Sequence, residues 1–269
     1  MVTMAEITAE LVARATTGDG SAVTEIVRAL ERPFYNLALR MLSSRQDAED
    51  AAQEALIRVV THLAQYRGDA AFSSWAWRIA VRQILDARTR QPRYSFVEYA
   101  ADLADGREDS AAERPEDAVL HRELKVICSR ALLQCLDADQ RVAFVLGDIL
   151  ELDSTEAAEI VEVDPATFRK RLSRARAALT GFLMQHCGVV NEAAPCACHR
   201  RLARATALRR IDRDALDVSE GNLVQLRREI AALPDAERAA ASYRSDPELT
   251  SRRDIVSTVH AMLGRLSLN

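Results

Sequence analysis

The sequence predicts an all-α protein built from small helical domains, and three observations support this. Aromatic residues make up only 5% of the chain, while 48% is hydrophobic and 28% is charged. Ala, Leu, Arg and Glu, which favour helices, are plentiful. Apolar residues recur at helical spacing along most of the chain, and no segment shows the alternation of a strand. The length of 269 residues suggests two domains, or three small ones.

Charge and hydropathy exclude several classes of function. No stretch of 18 apolar residues is present, and residues 1–17 lack the basic start and apolar run of a secretory signal. A cytoplasmic protein is therefore expected. The net charge of −4 argues against strong DNA binding by the free chain, although phosphate contacts depend on local charge. No phosphate loop, catalytic triad or zinc-protease motif is present, so an enzyme is not expected.

Three helices and a linker are expected in the first 118 residues. The helices span residues 11–42, with an interruption at Pro33, then 44–66 and 73–90. Residues 93–118 are predicted to be a flexible acidic linker. They contain eight acidic residues and three arginines, with no sustained apolar pattern, so they cannot bury a core.

The clearest motif is a predicted helix-turn-helix. A short helix over residues 155–161 and a turn precede a second helix over residues 166–179, with Asp164 as its N-cap and Pro165 in its first turn. Five basic residues and no acidic residue lie between Arg169 and Arg176. Such a helix suits the major groove of DNA, although a charged run is more often only a solvated helix face. The opposite face is expected to be buried and contains Phe168, Leu172, Ala175 and Leu179.

Three segments, in order, resemble the extracytoplasmic-function (ECF) family of RNA polymerase sigma factors. Residues 47–56 read Asp-Ala-Glu-Asp-Ala-Ala-Gln-Glu-Ala-Leu and resemble sigma region 2.2. Residues 72–80 read Phe-Ser-Ser-Trp-Ala-Trp-Arg-Ile-Ala and resemble regions 2.3 to 2.4, and residues 137–176 resemble region four. The resemblance covers roughly residues 5–185. It implies a region two domain (1–92), the linker (93–118), a region four domain (119–186) and a C-terminal extension (187–269).

The predicted second helix has an acidic face, which suits a basic protein partner rather than DNA. The resemblance implies that this helix docks on the β′ clamp of core polymerase. A solvated acidic face is the alternative. The residues assigned to polymerase binding are Asp47, Glu49, Asp50, Gln53 and Glu54.

The third helix combines both tryptophans of the chain with arginines, a pattern that suits an unstacked single strand. Core packing is the favoured alternative for Trp75. The resemblance implies that residues 67–74 form a pocket for a flipped base of the minus-10 element. Arg82-Gln83 stands where the family often has Arg-Asn, which predicts an altered minus-10 preference. Residues 148–155 also depart from the usual Gly-Leu-Ser/Thr step before the helix-turn-helix.

The resemblance assigns promoter contacts to both domains. The minus-10 residues are Asp69, Phe72, Trp77, Arg78, Arg82, Gln83 and Arg88. The minus-35 residues are Thr155, Thr167, Arg169, Lys170, Arg171 and Arg174. The implied partners are core polymerase and promoter DNA, and an anti-sigma factor is a further candidate. A stand-alone helix-turn-helix regulator is the alternative function, and it predicts tight DNA binding by a free dimer.

The C-terminal extension opens with three thiols and two imidazoles within residues 186–199. Three interpretations remain open: a Zn²⁺ or Cu⁺ site, a redox disulfide, or a turn with buried thiols. The spacing is not that of a standard zinc finger, and the odd count of five cysteines argues against a disulfide framework. No cofactor is expected to be required for sigma function. The candidate metal ligands are Cys187, Cys196, Cys198 and His199, with His186 as an alternative to His199.

The rest of the extension has amphipathic stretches near residues 223–233 and 255–266, and Ser245 is predicted to be the N-cap of the last helix. These stretches need a partner surface to bury their apolar faces. The hypothesis is that they fold against the sigma domains and tune access to DNA or polymerase. The alternative is a simple stabilising appendage.

Overall fold

The computed structural model describes residues 7–88, 94–108, 111–220 and 222–266, and side chains within these ranges except those of Arg88 and residues 263–266. Apart from one isolated β-bridge, regular structure in these ranges is helical, which confirms the predicted all-α class. No described helix is long and apolar enough to cross a membrane. In chain order the helices are α1 (Ala9–Thr16), α2 (Gly20–Leu42), α3 (Arg45–Thr61), α4 (Phe72–Arg88), α5 (Phe96–Ala104), α6 (Ala118–Leu133), α7 (Ala138–Phe144), α8 (Ser154–Ile160), α9 (Pro165–His186), α10 (Cys198–Ala207), α11 (Leu223–Ala231), α12 (Asp235–Arg244) and α13 (Ile255–Leu266).

The chain divides into two compact units that are not continuous in sequence. The first comprises Met1–Gln91, Leu152–Phe168 and Glu248–Asn269, and the second comprises Pro92–Glu151 and Arg169–Pro247. The sequence predicts continuous domains that end after residues 92, 118 and 186. These limits stay a prediction. The first of these limits falls within residues 89–93, outside the described residues.

The first unit is built on α2, α3 and α4. The helix predicted over residues 11–42 is in fact two helices, because Gly18 adopts φ 92° and Asp19 caps α2 through the backbone N–H groups of Ser21 and Ala22. Pro33 lies inside α2 without ending it. Small residues on α3, such as Ala48 and Ala52, are fully buried and allow close packing of the neighbouring helices.

The second unit contains a helix within the predicted linker. Ser95 and Glu98 form a capping box at the start of α5, each side chain bonding the other's backbone N–H. Tyr99 and Leu103 are buried, and the Tyr99 hydroxyl donates to the carbonyl of Cys128 at 3.0 Å. The acidic composition of the segment hid this helix from sequence reasoning, because its acidic residues lie outside a short apolar face.

Most of the C-terminal extension shares one core with α6. Leu120 and Leu124 of α6 pack with apolar residues of α10 and α11, including Leu202, Leu226 and Ile230. The buried Glu123 carboxylate accepts the backbone N–H groups of Asp217 and Val218 at 2.9 and 3.0 Å. Lys125 and Asp246, both nearly inaccessible, form an ion pair of 2.6 Å. Residues 198–247 are therefore an integral part of the second unit.

The predicted start of the last helix at Ser245 is wrong. Ser245 is the C-cap of α12, and the chain then runs without helical structure until α13 begins at Ile255. Pro247 disfavours a helical conformation at the residue before it, which explains the break. Asp254 caps α13 by accepting the backbone N–H of Ser257 at 2.9 Å.

Candidate functional site

The five predicted polymerase-binding residues lie together on α3, and we call this surface the docking face (Asp47, Glu49, Asp50, Gln53 and Glu54). Ser44 caps the helix through the backbone N–H of Asp47. Asp47 and Asp50 are exposed, and Gln53 and Glu54 are half-buried. The opposite side of α3 is buried and packs through small residues. The helix therefore holds a cluster of carboxylates on its outer side.

Glu49 differs from the other members of the docking face because its side chain is only 6% exposed. Its carboxylate accepts the backbone N–H of Arg252 at 3.0 Å and the hydroxyl of Ser251 at 3.2 Å. The Nε of Arg253 lies 3.1 Å from the other Glu49 oxygen, and Arg253 also pairs with Asp50. Sequence reasoning did not detect this contact, since its partners are some 200 residues apart.

An aromatic cluster stands at the start of α4, in the region predicted to bind the minus-10 element. The ring of Tyr66 lies 5.4 Å from the rings of both Phe72 and Trp75. The Tyr66 hydroxyl donates to the carbonyl of Ala70 at 2.7 Å and so fixes the loop before α4. Trp75 is half-buried. Phe72, a predicted minus-10 residue, is only 8% exposed, so Tyr66 and Trp75 form the accessible part of the cluster.

Trp77 requires a correction, because the structure places it in the core. It is 6% exposed and its ring packs against Phe34 of α2, with centroids 5.5 Å apart. Trp77 is therefore not accessible to a DNA strand, and Trp75 is the tryptophan nearer the surface. The sequence assigned these two roles the other way round, because both residues lie on one helix and periodicity alone does not rank their burial.

The polar residues predicted for the minus-10 site vary in accessibility. Arg82 is exposed, while Arg78 and Gln83 are half-buried. The Nε of Arg78 and the Oε1 of Gln83 are buried without a hydrogen-bond partner among the described residues. Asp69 is more than 80% exposed and lies 3.8 Å from Arg67. The prediction for the Arg88 side chain lies outside the described residues.

The helix-turn-helix forms as predicted, with both helices capped by aspartates. Asp153 accepts the backbone N–H of Thr155, and Asp164 accepts that of Thr167, at 2.7 and 2.8 Å. The Thr167 hydroxyl also donates to Asp164 at 2.6 Å, and this bond is the main reason that the pKa of Asp164 is lowered. Thr167 is therefore engaged in the cap of α9. Thr155 is exposed.

The basic face of α9 is largely open. Its predicted buried face is confirmed, with Phe168, Leu172, Ala175 and Leu179 at most 6% exposed. Arg169, Lys170 and Arg174 are exposed and form no ion pair within the part of the chain that the structure describes. Arg171 is held by Asp139 at 2.8 Å. The exposed cations are the chemistry needed to contact DNA phosphates.

Helix α8 lies against α4 within the first unit. The buried hydroxyl of Ser74, on α4, donates to Oε1 of Glu156, on α8, at 3.3 Å. Sequence reasoning did not detect this contact, because it joins residues 82 positions apart.

The three predicted thiol ligands lie around one small apolar cavity, and a fourth thiol joins them. Cys128 of α6, which sequence reasoning did not single out, lines the cavity with Cys187, Cys196 and Cys198. A short backbone bridge holds the segment in place: the N–H of Gly188 donates to the carbonyl of Cys196 at 2.7 Å. A Cβ at position 188 would lie 2.8 Å from that oxygen, so the bridge requires glycine.

These thiols are neutral at physiological pH. Burial raises the pKa of Cys128 to about 11 and that of Cys196 to about 12, and it also raises the pKa values of Cys187 and Cys198. All five cysteines of the chain are free. Burial of this kind lowers the reactivity of a thiol toward disulfide exchange.

The candidate imidazole ligands lie apart from the cavity. His199 Nδ1 faces Glu113 at 4.0 Å, and its ring lies 6.3 Å from that of His121. The ring of His186 packs on Phe182 at 4.5 Å. Within the described ranges, no group of three or more His, Cys, Asp or Glu side chains is arranged to hold a metal ion. The predicted Zn²⁺ or Cu⁺ site at Cys187, Cys196, Cys198 and His199 stays a prediction.

Comparison with known proteins identifies the two helical regions. Residues 26–94 match the family model for Sigma-70 region 2, and residues 128–179 match that for Sigma-70, region 4. The chain is 34% identical to the RNA polymerase sigma-H factor of Pseudomonas aeruginosa, over 63% of this chain and 90% of that protein. It is 33% identical to the ECF RNA polymerase sigma factor SigW of Bacillus subtilis, over 60% and 89% respectively. It is also 33% identical to the ECF RNA polymerase sigma-E factor of Escherichia coli, over 63% and 90%. The chain therefore belongs to the ECF family of RNA polymerase sigma factors.

Proposed function

We propose that this sigma factor binds the β′ clamp of core polymerase through the docking face, and reads promoter DNA through α4 and α9. A sigma factor binds core polymerase and directs it to promoters, so its DNA contacts act within that complex. Polymerase binding thus belongs to α3, minus-10 recognition to α4 and minus-35 recognition to α9.

The docking face suits a basic protein surface. Its carboxylates are clustered on one helix, and the buried alanines behind them fix the helix against α2 and α4. Clustered charges of one sign steer a complementary partner and set its orientation. They would also repel DNA phosphates, which makes this surface unsuitable for a direct DNA contact.

The start of α4 suits an unpaired strand of the minus-10 element. Trp75 stands beside Tyr66 and Phe72, and Arg82 is exposed further along the helix. Aromatic rings stack on bases, and arginine contacts the phosphates. Gln83 is half-buried, and its Oε1 is buried without a partner among the described residues, so it is a weaker candidate for direct contact with a base.

The exposed face of α9 suits the minus-35 duplex. Arg169, Lys170 and Arg174 point away from the buried face and are free to contact phosphates or base edges. Arg171 would have to leave Asp139 to do the same, and Thr167 would have to leave Asp164. These two are therefore weaker candidates for direct readout.

One observation carries the proposal: the same chain presents an acidic outer face on α3 and an open basic face on α9. A stand-alone helix-turn-helix regulator needs the second face but has no use for the first. A subunit that polymerase delivers to DNA needs both. The net charge of −4 agrees with this interpretation, since the free protein need not bind DNA tightly.

Run-off transcription by core polymerase lacking its own sigma tests the proposal, on promoters selected from a random library. Transcripts should depend on the added protein. Glu54→Lys on the docking face should lower transcription about tenfold, by opposing the basic partner surface. The matched control is Glu220→Lys, at an exposed position of the extension. Tight binding to duplex DNA without any transcript would instead favour the stand-alone regulator.

We also propose that the cavity thiols bind Zn²⁺ or Cu⁺. What supports this is that four thiols from separate parts of the second unit line one cavity. An ion would have to draw the thiolates together and displace their protons. An anti-sigma factor is a further candidate partner.

A further inference from the structure

We infer that the C-terminal segment Glu248–Leu266, here called the tail, is an intramolecular occupant of the docking face that must leave before polymerase binds. The inference rests on the proposed docking role of α3. The tail belongs to the same compact unit as α2 and α3, although its contacts with α3 join residues about 200 positions apart. Neither family model reaches it, since the second ends at residue 179.

A buried asparagine fixes the register of the tail. The Asn36 amide nitrogen donates to the carbonyl of Leu249, and its oxygen accepts the N–H of Leu249, both at 2.8 Å. Asn36 therefore satisfies both backbone groups of one residue, as a neighbouring strand would. It is 4% exposed on α2, where an unpaired amide would be costly. The tail is thus held at a defined position, not merely resting on the surface.

Arg253 of the tail stands where a basic group of a partner would be expected. It joins Glu49 to Asp50, two acidic residues of the docking face. The Glu49 carboxylate is further occupied by the backbone N–H of Arg252 and the hydroxyl of Ser251. With its remaining surface covered, Glu49 offers no position for a side chain of another protein while the tail is in place.

Apolar contacts hold the rest of the tail. Leu249 is 5% exposed, and Ile255 and Val259 are fully buried in the first unit, where α13 packs on α2 and α3. Releasing the tail would bring these side chains into water, which favours the closed state. The Arg253 side chain is nearly half exposed, so its ion pairs are screened and can be exchanged. The arrangement combines a stable apolar anchor with a reversible polar contact.

The consequence is a closed–open equilibrium within one chain. Polymerase binds the open form only, so its apparent affinity is reduced by the fraction of molecules that are open. Any ligand or partner that draws the tail away would activate the sigma factor without altering its docking residues. Arg253 of the tail pairs with the same carboxylates, Glu49 and Asp50, that a basic group of polymerase would contact.

The test uses the full-length chain and measures its dissociation constant for core polymerase by fluorescence anisotropy. Arg253→Glu places a negative charge against Glu49 and Asp50 and should open the tail. We expect binding to core about tenfold tighter than for the unmodified chain. Arg228→Glu makes the same charge change at an exposed position on α11, in the second unit, and should leave binding unchanged. Leu249→Asp is a second opening variant, which places a carboxylate at a buried position of the tail.

Hydrogen exchange supplies an independent readout of tail release. The amides of Leu249 and Arg252 donate to Asn36 and Glu49, so they should exchange slowly in the free chain. They should lose protection in both opening variants, and in the unmodified chain when core polymerase is added. That result, together with tighter binding of both variants, would support the inference.

Two other results would overturn it, and they have different meanings. If the tail amides lose protection in a variant while its affinity for core stays at the unmodified value, the tail is only a stabilising appendage. The same holds if polymerase protects α3 while the tail amides remain protected. If no variant binds core at all, the proposed docking role itself fails, and the inference fails with it.

Discussion

The hydroxyl of Ser74 on α4 donates to the carboxylate of Glu156 on α8, 3.3 Å away. The two residues belong to different sigma regions, since residues 26–94 match region 2 and residues 128–179 match region 4. Helix α8, which precedes the proposed minus-35 helix α9, thus lies on α4, the proposed minus-10 helix. The bond is long for an O–H···O contact, and it should be easily broken.

Promoter binding should separate Ser74 from Glu156. The minus-10 and minus-35 elements lie about 25 base pairs apart, or roughly 85 Å at the rise of B-DNA. Helix α9, with 22 residues, extends only about 33 Å from α8. Benzoylphenylalanine at position 156 should therefore crosslink to α4 peptides in the free chain and lose at least about 80% of that yield in the promoter complex. Equal yields in the two states, measured by mass spectrometry, would show that α8 stays on α4.

Arg176 and Arg174 should have separable roles, although both lie on the basic helix α9. Arg176 makes a bidentate contact with Asp148, whose side chain is 5% exposed. Arg176→Ala leaves that carboxylate buried and unpaired, so we expect a loss of about 2–3 kcal/mol in the free energy of unfolding by urea. Arg174 is exposed, and Arg174→Ala should change stability by less than about 0.5 kcal/mol while weakening minus-35 binding. Equal losses of stability in the two variants would contradict this division.

Features that depend on neighbouring residues were predicted from the sequence much better than features that depend on residues distant in the chain. The buried face of α9 follows from the spacing of Phe168 and Leu172 alone, because helical periodicity is a property of neighbouring residues. The burial of Trp77 depends on Phe34, and the pairing of Asn36 depends on Leu249. Nothing near these residues in sequence indicates such partners. The acidic outer side of α3 was therefore predicted, while the contact that covers Glu49 was missed.

Some of the missed features did leave a signal. Phe96, Tyr99 and Leu103 stand at positions i, i+3 and i+7, behind Ser95 with Glu98 three residues later, which is the pattern of a capped helix. Asn36 interrupts an otherwise apolar stretch of α2, where a polar residue at a buried position calls for a specific partner. The surrounding acidic residues concealed the first signal. The second was concealed because the partner of Asn36 lies far away in sequence.

The cap of α9 should give stability a dependence on acidic pH. Hydrogen bonds from Thr167 lower the pKa of Asp164 below its unfolded value, so the cap stabilises fully above the unfolded pKa. That contribution is lost as pH falls through the folded pKa of Asp164. Asp164→Asn keeps a capping side chain but does not titrate. The difference in urea midpoint between the two proteins should therefore change as the pH is lowered from 7 to 3. A constant difference across this range would show that Asp164 titrates as it does in the unfolded chain.

Metal binding should depend on the cavity thiols and not on Cys135, the fifth cysteine. If the extension holds a soft ion, the purified chain should bind one equivalent of Zn²⁺ or Cu⁺, because four thiols line one cavity. Cys198→Ser should abolish binding, while Cys135→Ser should not, since Cys135 does not line the cavity. His199→Gln tests the fourth ligand: loss of affinity would support His199, and retained affinity would favour Cys128, because His199 now faces Glu113. Dialysis followed by metal analysis gives the stoichiometry, and an unloaded chain with five slowly alkylated thiols would establish a purely structural role.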